Sequence, residues 1–312
     1  MMEDNWERRV LERLATDGLR EQRRARRWGI FFKLLAFGFL FVVLFAALGA
    51  WTGSERLCLD KCTAMVEIQG EIDATSRASA DNVIAGLQAA FKNKGTQGVV
   101  LKINSPGGSP VQAGEINDEI RRLRGKYPDT PIYAVVEEVC ASGAYYVAVA
   151  ADKIYVDKAS LVGSIGVIMD GFGFVGTLDK LGIERRALTA GDNKTFLDPF
   201  LPLTAKQKEY AQQMLADIHQ QFIAVVRSGR GSRIKDSPEL FSGLLWNGRR
   251  SIELGLTDAL GSVRSVARDV VKAEDIVDFT VQENVAERVA RKFGAAMGRS
   301  VAASIQASMR DW

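Results

Sequence analysis

Apolar and polar residues follow one another along most of the chain in patterns that predict alternating strands and helices. Period-two alternation and short apolar runs predict strands, and apolar residues at helical spacing predict the helices between them. The predicted strands are 64–72, 98–103, 132–136, 153–156, 183–188 and 276–281. The predicted helices are 79–91, 111–124, one starting at Gly143, 204–228 with a capping box at Thr204 and Gln207, a short one within 251–261, and 262–272. This succession predicts an α/β fold with a mostly parallel sheet covered by helices.

A strongly apolar stretch, 29–50, precedes this body. As a helix it would span roughly 33 Å, about the hydrocarbon core of one bilayer. It follows a basic cluster at 22–27, and Trp28 and Trp51 flank it as interfacial aromatic residues do. We therefore predict a single-pass protein of the cytoplasmic membrane, with a cytoplasmic N-terminus and a periplasmic or extracellular body. The alternative is a cleaved signal peptide, because Ala47 and Gly49 suit a cleavage site.

These patterns divide the chain into five segments. They are a basic cytoplasmic segment (1–28), the transmembrane helix (29–50), a linker (51–63), the α/β domain (64–284) and a basic amphipathic helix (285–312), which suits assembly or a membrane surface. The formal charge is +3, but the basic excess lies within residues 1–33 and the remainder is balanced. No nucleic acid is therefore expected as a partner.

The three cysteines and the single histidine limit the chemistry available. Cys58 and Cys62 lie just beyond the membrane stretch, where they form a disulfide in an oxidising compartment or remain two free thiols. With one histidine in the whole chain, no zinc or other metal site is expected. Cys140 is conceivable as a nucleophile, but its place at the end of a strand favours the core.

Ser142 lies at the junction between strand 132–136 and the apolar helix that starts at Gly143. A hydroxyl at the first turn of a buried helix faces unpaired N–H groups and the positive end of the helix dipole, where a developing oxyanion would be stabilised. The competing interpretation is an ordinary N-cap serine. If Ser142 is a nucleophile, it requires a base.

Two residues are candidates for that base. His219 lies among glutamines inside helix 204–228, and we interpret it as a surface or half-buried residue rather than the base of a triad. A lysine serves as a base when burial lowers its pKa from about 10.4 toward 7 or 8. Lys194 is followed by apolar residues able to desolvate an amine, namely Phe196, Leu197 and Phe200. No periodicity brings Lys194 to Ser142, and a solvated loop lysine is the alternative.

Two further turns contain small residues. Gly107 and Gly108 follow strand 98–103, where main-chain N–H groups either turn toward a ligand or form a plain tight turn. Ser164, within Gly-Ser-Ile-Gly-Val at 163–167, has a hydroxyl able to hold an amine by a hydrogen bond.

Together these motifs resemble the signal peptide peptidase A family of serine peptidases, family S49, in its short single-copy bacterial form. The motifs are Asn-Ser-Pro-Gly-Gly at 104–108, Ala-Ser-Gly at 141–143, Ala-Ala-Asp-Lys-Ile at 150–154, Gly-Ser-Ile-Gly-Val at 163–167 and Gly-Asp-Asn-Lys at 191–194. The resemblance covers roughly residues 64–272 and implies a Clp-protease and crotonase-like fold.

The resemblance also implies roles for individual residues. Ser142 would be the nucleophile, Lys194 the general base and Ser164 the hydrogen-bond partner of the lysine. The oxyanion hole would combine the N–H of Gly143 with that of Gly107 or Gly108. No metal or cofactor is implied. The family often has a glycine where this chain has Ala144, and the extra bulk is expected to narrow the primary pocket.

The family's assembly and substrates are implied in the same way. The lysine would come from a neighbouring protomer of a homo-oligomeric, dome-shaped ring that opens toward the lipid bilayer. The expected function is a membrane-anchored serine endopeptidase that degrades released signal peptides and other extended hydrophobic peptides at the outer face of the cytoplasmic membrane.

Three other functions stay open at this point. Gly-Phe-Gly-Phe-Val-Gly at 171–176 matches a dinucleotide fingerprint, but the following strand lacks an acidic residue for the ribose, and Phe172 and Phe174 suit a buried hairpin better. A crotonase-type acyl-CoA enzyme would share the fold, although a body outside the cytoplasm argues against it. A non-catalytic scaffold of a membrane complex would have the same sequence with Lys194 exposed.

Overall fold

The computed structural model describes residues 22–24, 26–44, 58, 60–235 and 237–281. The predicted segment before residue 22, most of the predicted linker and the predicted helix 285–312 lie outside the described residues. Helix α1 (Gln22–Leu44) covers the first part of the predicted membrane stretch, with a mean hydropathy of 1.9. By length and composition α1 is able to cross a membrane, and a signal sequence would pass the same test.

Residues 56–281 form a compact unit of their own. Within the described residues its strands form one eight-stranded sheet, with the order β6-β5-β3-β2-β1-β8 and with β4 and β7 attached beside β3. The strands are β1 (Cys62–Gln69), β2 (Thr96–Ser105), β3 (Ile132–Ala141), β4 (Lys153–Val156), β5 (Leu161–Gly163), β6 (Leu245–Asn247), β7 (Ala259–Leu260) and β8 (Ile276–Asp278). Every pair is parallel except β5 with β6. The predicted α/β class with a mostly parallel sheet is confirmed.

Helices cover both faces of this sheet. They are α2 (Ala80–Lys92), α3 (Pro110–Lys126), α4 (Gly143–Ala148), α5 (Val175–Leu181), α6 (Ala205–Arg230), α7 (Gly248–Glu253) and α8 (Val263–Ser265), with α8 continuing as a π-helical turn to Val271. The main core lies between the sheet and α2, α3, α4 and α6, and a smaller cluster around Val100, Val135, Tyr155 and Val266 fills the other face. Each fully buried Ile or Leu in this core stabilises the fold by about 1.5–3 kcal/mol.

Strand β3 organises the sheet because two strands pair with it along the same side. Its first half, from Tyr133 to Val136, pairs with β4, and its last three residues pair with β5. Since β2 and β3 run in parallel, the turns that follow Ser105 and Ala141 meet at one edge of the sheet. Ser142 and the Gly107–Gly108 turn lie at this edge.

Two sequence predictions are wrong. The strand expected at 183–188 is irregular, exposed chain that follows α5. Phe172 and Phe174, expected in a buried hairpin, are exposed in an irregular segment before α5. The capping box at the start of α6 is confirmed, because Thr204 Oγ1 accepts from the Gln207 N–H and Gln207 Oε1 accepts from the Thr204 N–H.

Cys58 and Cys62 are paired in a disulfide at the start of β1, with Cα atoms 5.9 Å apart. Gly95 is packed against this bridge, because a Cβ there would lie 2.5 Å from Cys58 Sγ. Of the two alternatives that the sequence left open, the structure has the disulfide.

Candidate active site

Ser142 occupies a sharp turn between β3 and α4. Its φ of 52° and ψ of −123° are strained for a residue with a side chain, and the side chain makes no capping hydrogen bond. The turn is held by the main chain, because the Ser142 N–H donates to Gly163 O (2.9 Å) and Ser142 O accepts from the Tyr146 N–H (3.0 Å). A strand-to-helix turn of this kind presents a side chain at the edge of a sheet. The N-cap interpretation of Ser142 is therefore wrong.

The Gly107–Gly108 turn lies directly against Ser142. A Cβ on Gly107 would come within 2.7 Å of Gly143 N and 2.8 Å of Ser142 Cβ, and one on Gly108 would come within 2.2 Å of Ile72 O. Both glycines also have positive φ, 102° and 147°. This close approach of two backbones requires glycine at both positions.

Hydrogen bonding distinguishes the two glycines. The Gly107 N–H donates to Ser105 Oγ (3.1 Å), and Ser105 is fully buried. The N–H groups of Gly108 and Gly143 have no acceptor among the described residues, and an ideal Cβ on Gly143 would lie 3.3 Å from Gly108 N. The pair of neighbouring free donors is thus Gly108 with Gly143.

Ser164 lies in a second strained turn beside Ser142. Its φ is 50°, its N–H donates to Leu244 O (2.8 Å), and its carbonyl accepts from the Gly166 N–H (2.9 Å). Ser142, Ser164, Gly108 and Gly143 all line one cavity of about 420 Å³. Most other walls of this cavity are apolar or small, including Ala113, Tyr146, Val167, Ile168, Ile218 and Phe222.

Lys194 lies apart from this cavity within the protomer. It is exposed and borders a different hollow of about 670 Å³, together with Arg185, Arg186 and the apolar residues that follow it. The protomer therefore brings together Ser142, Ser164 and the glycine turn, and it does not bring Lys194 to them.

Comparisons with known proteins identify the family. A model described as Peptidase family S49 matches residues 126–277. The protein named "Putative signal peptide peptidase SppA" of Enterococcus faecium is 31% identical over 202 residues, which are 65% of this chain and 58% of that protein. Protease 4 of Haemophilus influenzae is 28% identical over 213 residues, which are 68% of this chain and 33% of that protein.

Residues 126–277 match peptidase family S49, and together with the relatives above they support an S49 SppA-like peptidase. The α/β body is accordingly a Clp-protease-like fold. The match to the S49 family contains Ser142, Gly143, Ser164 and Lys194, whereas the Gly107–Gly108 turn precedes it.

A third similar protein is named as an antiporter rather than as a peptidase. The Na(+)/H(+) antiporter NhaA of Brucella abortus is 45% identical over 182 residues, which are 58% of this chain and 25% of the antiporter. The chain thus spans a quarter of this relative and just under three fifths of the Enterococcus protein.

The structure also shows the burial and contacts of three other residues that the sequence analysis considered, Cys140, Ala144 and His219. Cys140 is fully buried in β3, and burial raises the pKa of its thiol, so it is a core residue as expected. Ala144 is fully buried and is not among the described residues that line the Ser142 cavity, so its methyl group does not narrow that cavity. His219 is half-buried, as expected, and its Nε2 lies 3.0 Å from Ile165 O.

Ser105 and His219 were not identified as site residues from the sequence. Ser105 belongs to the Asn-Ser-Pro-Gly-Gly motif, and its role depends on which N–H its hydroxyl accepts from. His219 lies 54 residues from its partner Ile165. A local sequence pattern cannot predict a contact between residues so far apart in the sequence.

Proposed function

We propose that this chain is a membrane-anchored serine endopeptidase in which Ser142 is the nucleophile and Lys194 of a neighbouring protomer is the general base. The observation that carries the proposal is the arrangement around Ser142. A strained serine, free of any capping bond, shares one cavity with two free N–H donors from Gly108 and Gly143. Donors fixed in this way stabilise the oxyanion of acyl transfer.

The chemistry follows from these groups. The neutral amine of Lys194 removes the proton from Ser142 Oγ, which attacks the peptide carbonyl carbon. The carbonyl oxygen becomes an oxyanion between the Gly108 and Gly143 N–H groups, and the protonated lysine gives its proton to the leaving amine. Water, deprotonated by the same lysine, then hydrolyses the acyl ester and restores Ser142. Ser164 orients the amine by a hydrogen bond.

The separation of Lys194 from Ser142 supports an assembly that completes the site. The segment 168–210 carries Lys194 and exposes many large apolar side chains, namely Ile168, Phe172, Leu181, Ile183, Leu188, Leu203 and Tyr210. So many exposed large apolar side chains in one segment are typical of an interface. A homo-oligomeric ring would bury this surface and deliver the lysine of one protomer to the serine of the next.

The cavity and the N-terminal helix support the substrate and the location. Small and apolar walls around Ser142 suit extended hydrophobic peptides, such as signal peptides released from their precursors. Helix α1, with the basic cluster at its N-terminal end, supports a single span of the cytoplasmic membrane with the body at its outer face.

One observation favours a second function. Lys194 is exposed in the protomer, as a non-catalytic scaffold of a membrane complex would have it. The match to a peptidase family favours the peptidase over this scaffold and over an acyl-CoA enzyme.

The decisive experiment is covalent labelling of the detergent-solubilised full chain with a fluorophosphonate, followed by mass spectrometry. We expect the label on Ser142, its loss in Ser142→Ala, and a label formed at least about 100-fold more slowly in Lys194→Ala. Lys92→Ala, which removes an exposed lysine in the last turn of α2, outside the segment 168–210, is the matched control and should react like the wild type. A folded protein that takes no label would favour the scaffold, and a label on Cys140 would show that the nucleophile is misassigned.

A further inference from the structure

The only histidine of the chain is bonded to the turn that carries Ser164. His219 lies in α6, and its Nε2 is 3.0 Å from the carbonyl oxygen of Ile165, the residue after Ser164. A carbonyl oxygen accepts only, so the imidazole must donate through Nε2–H. Ile165 is fully buried, and this is the one hydrogen bond that its carbonyl makes within the described residues.

The turn around Ser164 depends on few contacts. Three main-chain hydrogen bonds hold it, from the Ser142 N–H to Gly163 O, from the Ser164 N–H to Leu244 O and from the Gly166 N–H to Ser164 O. The imidazole supplies a fourth, and it is the one that comes from a side chain. Because Ser164 has a positive φ, its backbone would relax toward an ordinary conformation if a restraint were removed.

Helix α6 also lies beside the reacting groups. Ile218, Gln221 and Phe222, the neighbours of His219 on α6, line the cavity of Ser142 and Ser164. The bond from His219 to Ile165 therefore joins the wall of the cavity to the turn that presents the Ser164 hydroxyl.

We infer that His219 is a positioning residue that holds the Ser164 hydroxyl in place for the catalytic lysine. This inference rests on the proposed function, since Ser164 acts there on the amine of Lys194. His219 itself contacts neither the substrate nor the reacting atoms, and it acts through the Ile165 carbonyl and the conformation of Ser164.

Two replacements separate the hydrogen bond from the bulk of the ring. Glutamine places an amide N–H near the position of Nε2, whereas phenylalanine keeps a ring without a donor. In the solubilised full chain we expect the fluorophosphonate rate constant to fall about 10- to 100-fold in His219→Phe and to stay within about threefold of wild type in His219→Gln. Gln220→Ala, at an exposed position of the same helix, is the control and should not change the rate. Should the phenylalanine disturb packing, seen as a lowered unfolding midpoint, the flexible His219→Met is the second variant without a donor.

A double-mutant cycle with Ser164→Ala distinguishes positioning from a purely structural role. If His219 acts through Ser164, His219→Phe should slow the wild type but cause no further loss once Ser164→Ala is present. Equal fold losses in both backgrounds, or equal rates for the Gln and Phe variants, would overturn the inference while leaving the peptidase intact. A wild type that takes no label would overturn the proposed function, and the inference with it.

Discussion

Ser142 and Ser164 both have positive φ, and neither is in the conformation that a serine prefers. Such strain costs of order 1–3 kcal/mol for each residue and persists only where the surroundings determine it. Here the surroundings are main-chain bonds between the two turns and their neighbours, including the bond from the Ser142 N–H to Gly163 O. The candidate site is therefore preorganised by backbone.

Gly108 tests the oxyanion hole at the level of one residue. Gly108→Ala should lower the fluorophosphonate rate about 10²–10³-fold, because the new Cβ would lie 2.2 Å from Ile72 O and would force the free N–H away from Gly143. Gly114→Ala is the matched control. Gly114 lies in α3, where a Cβ meets nothing within 4 Å, so the change should preserve the rate and raise the stability by about 0.5–1 kcal/mol. Equal rates for the two variants would exclude Gly108 from the site.

The motifs predicted which residues gather at the sheet edge, since Ser142, Ser164 and the glycine turn share one cavity. Their detailed geometry was not predictable. Whether Gly107 or Gly108 offers a free N–H depends on the Ser105 hydroxyl, which accepts from Gly107. Tertiary hydrogen bonds decide which of the two adjacent N–H groups is free, and the residue types alone do not show this.

At the scale of elements, α6 is tied to the sheet by a buried ion pair. Arg230, at the end of α6, is 1% exposed and donates from both guanidinium NH₂ groups to Asp258, just before β7. Burial alone would raise the pKa of Asp258, but the hydrogen bonds from Arg230 and the Ile154 N–H outweigh it and lower the pKa below its usual 3.8. Asp258 is thus held ionised in the folded protein.

Asp258→Asn should therefore destabilise the protein in a pH-dependent way. At pH 7 the free energy of unfolding should fall by about 2–3 kcal/mol. This is less than for a fully buried pair, because the Asp258 side chain keeps 15% exposure. Since the folded pKa is lowered, the contribution of Asp258 is complete well above pH 3.8 and is lost as the pH falls through the folded value. Urea unfolding should show a constant difference in stability between the wild type and the variant above about pH 5, and a difference that narrows as the pH falls below 3.8. Asp269→Asn, in an exposed pair with Arg268, should show no measurable change at any pH.

Element prediction succeeded where the hydrophobic pattern was long. Strands β1 and β2 and helices α2, α3 and α6 agree with the prediction within a few residues, because each buries a face of several residues, whereas β3 starts as predicted at Ile132 and runs five residues further, to Ala141. Strands β5, β6 and β7 have only two or three residues, too few for a period. The segment 183–188, Ile-Glu-Arg-Arg-Ala-Leu, has three charged residues between apolar ends and is exposed along its whole length, so it has no buried face to hold it in a sheet as the strand prediction required.

At the scale of the whole molecule, the segment 168–210 combines exposed apolar surface with the candidate base. Phe172 is 82% exposed, and Phe172→Asp should weaken the assembly by placing a charge in the proposed interface. Multi-angle light scattering of the detergent-solubilised chain should show a smaller particle, with activity falling in parallel. Val111→Asp is the matched control, because Val111 is 67% exposed on α3 outside that segment. A Phe172→Asp protein that assembles and reacts like the wild type would contradict the interface.

Mixing two inactive variants tests whether neighbouring protomers complete each site. Ser142→Ala retains Lys194, and Lys194→Ala retains Ser142, so each homo-oligomer lacks one half of every dyad. If the dyad forms between protomers, random co-assembly of equal amounts should restore about a quarter of the wild-type sites, since each half is present with a probability of about one half. Peptidase activity after co-expression, compared with the same variants mixed as preformed oligomers, measures this restoration. Activity from each variant alone would contradict the dyad, and no restoration from co-assembled rings would contradict its sharing between protomers.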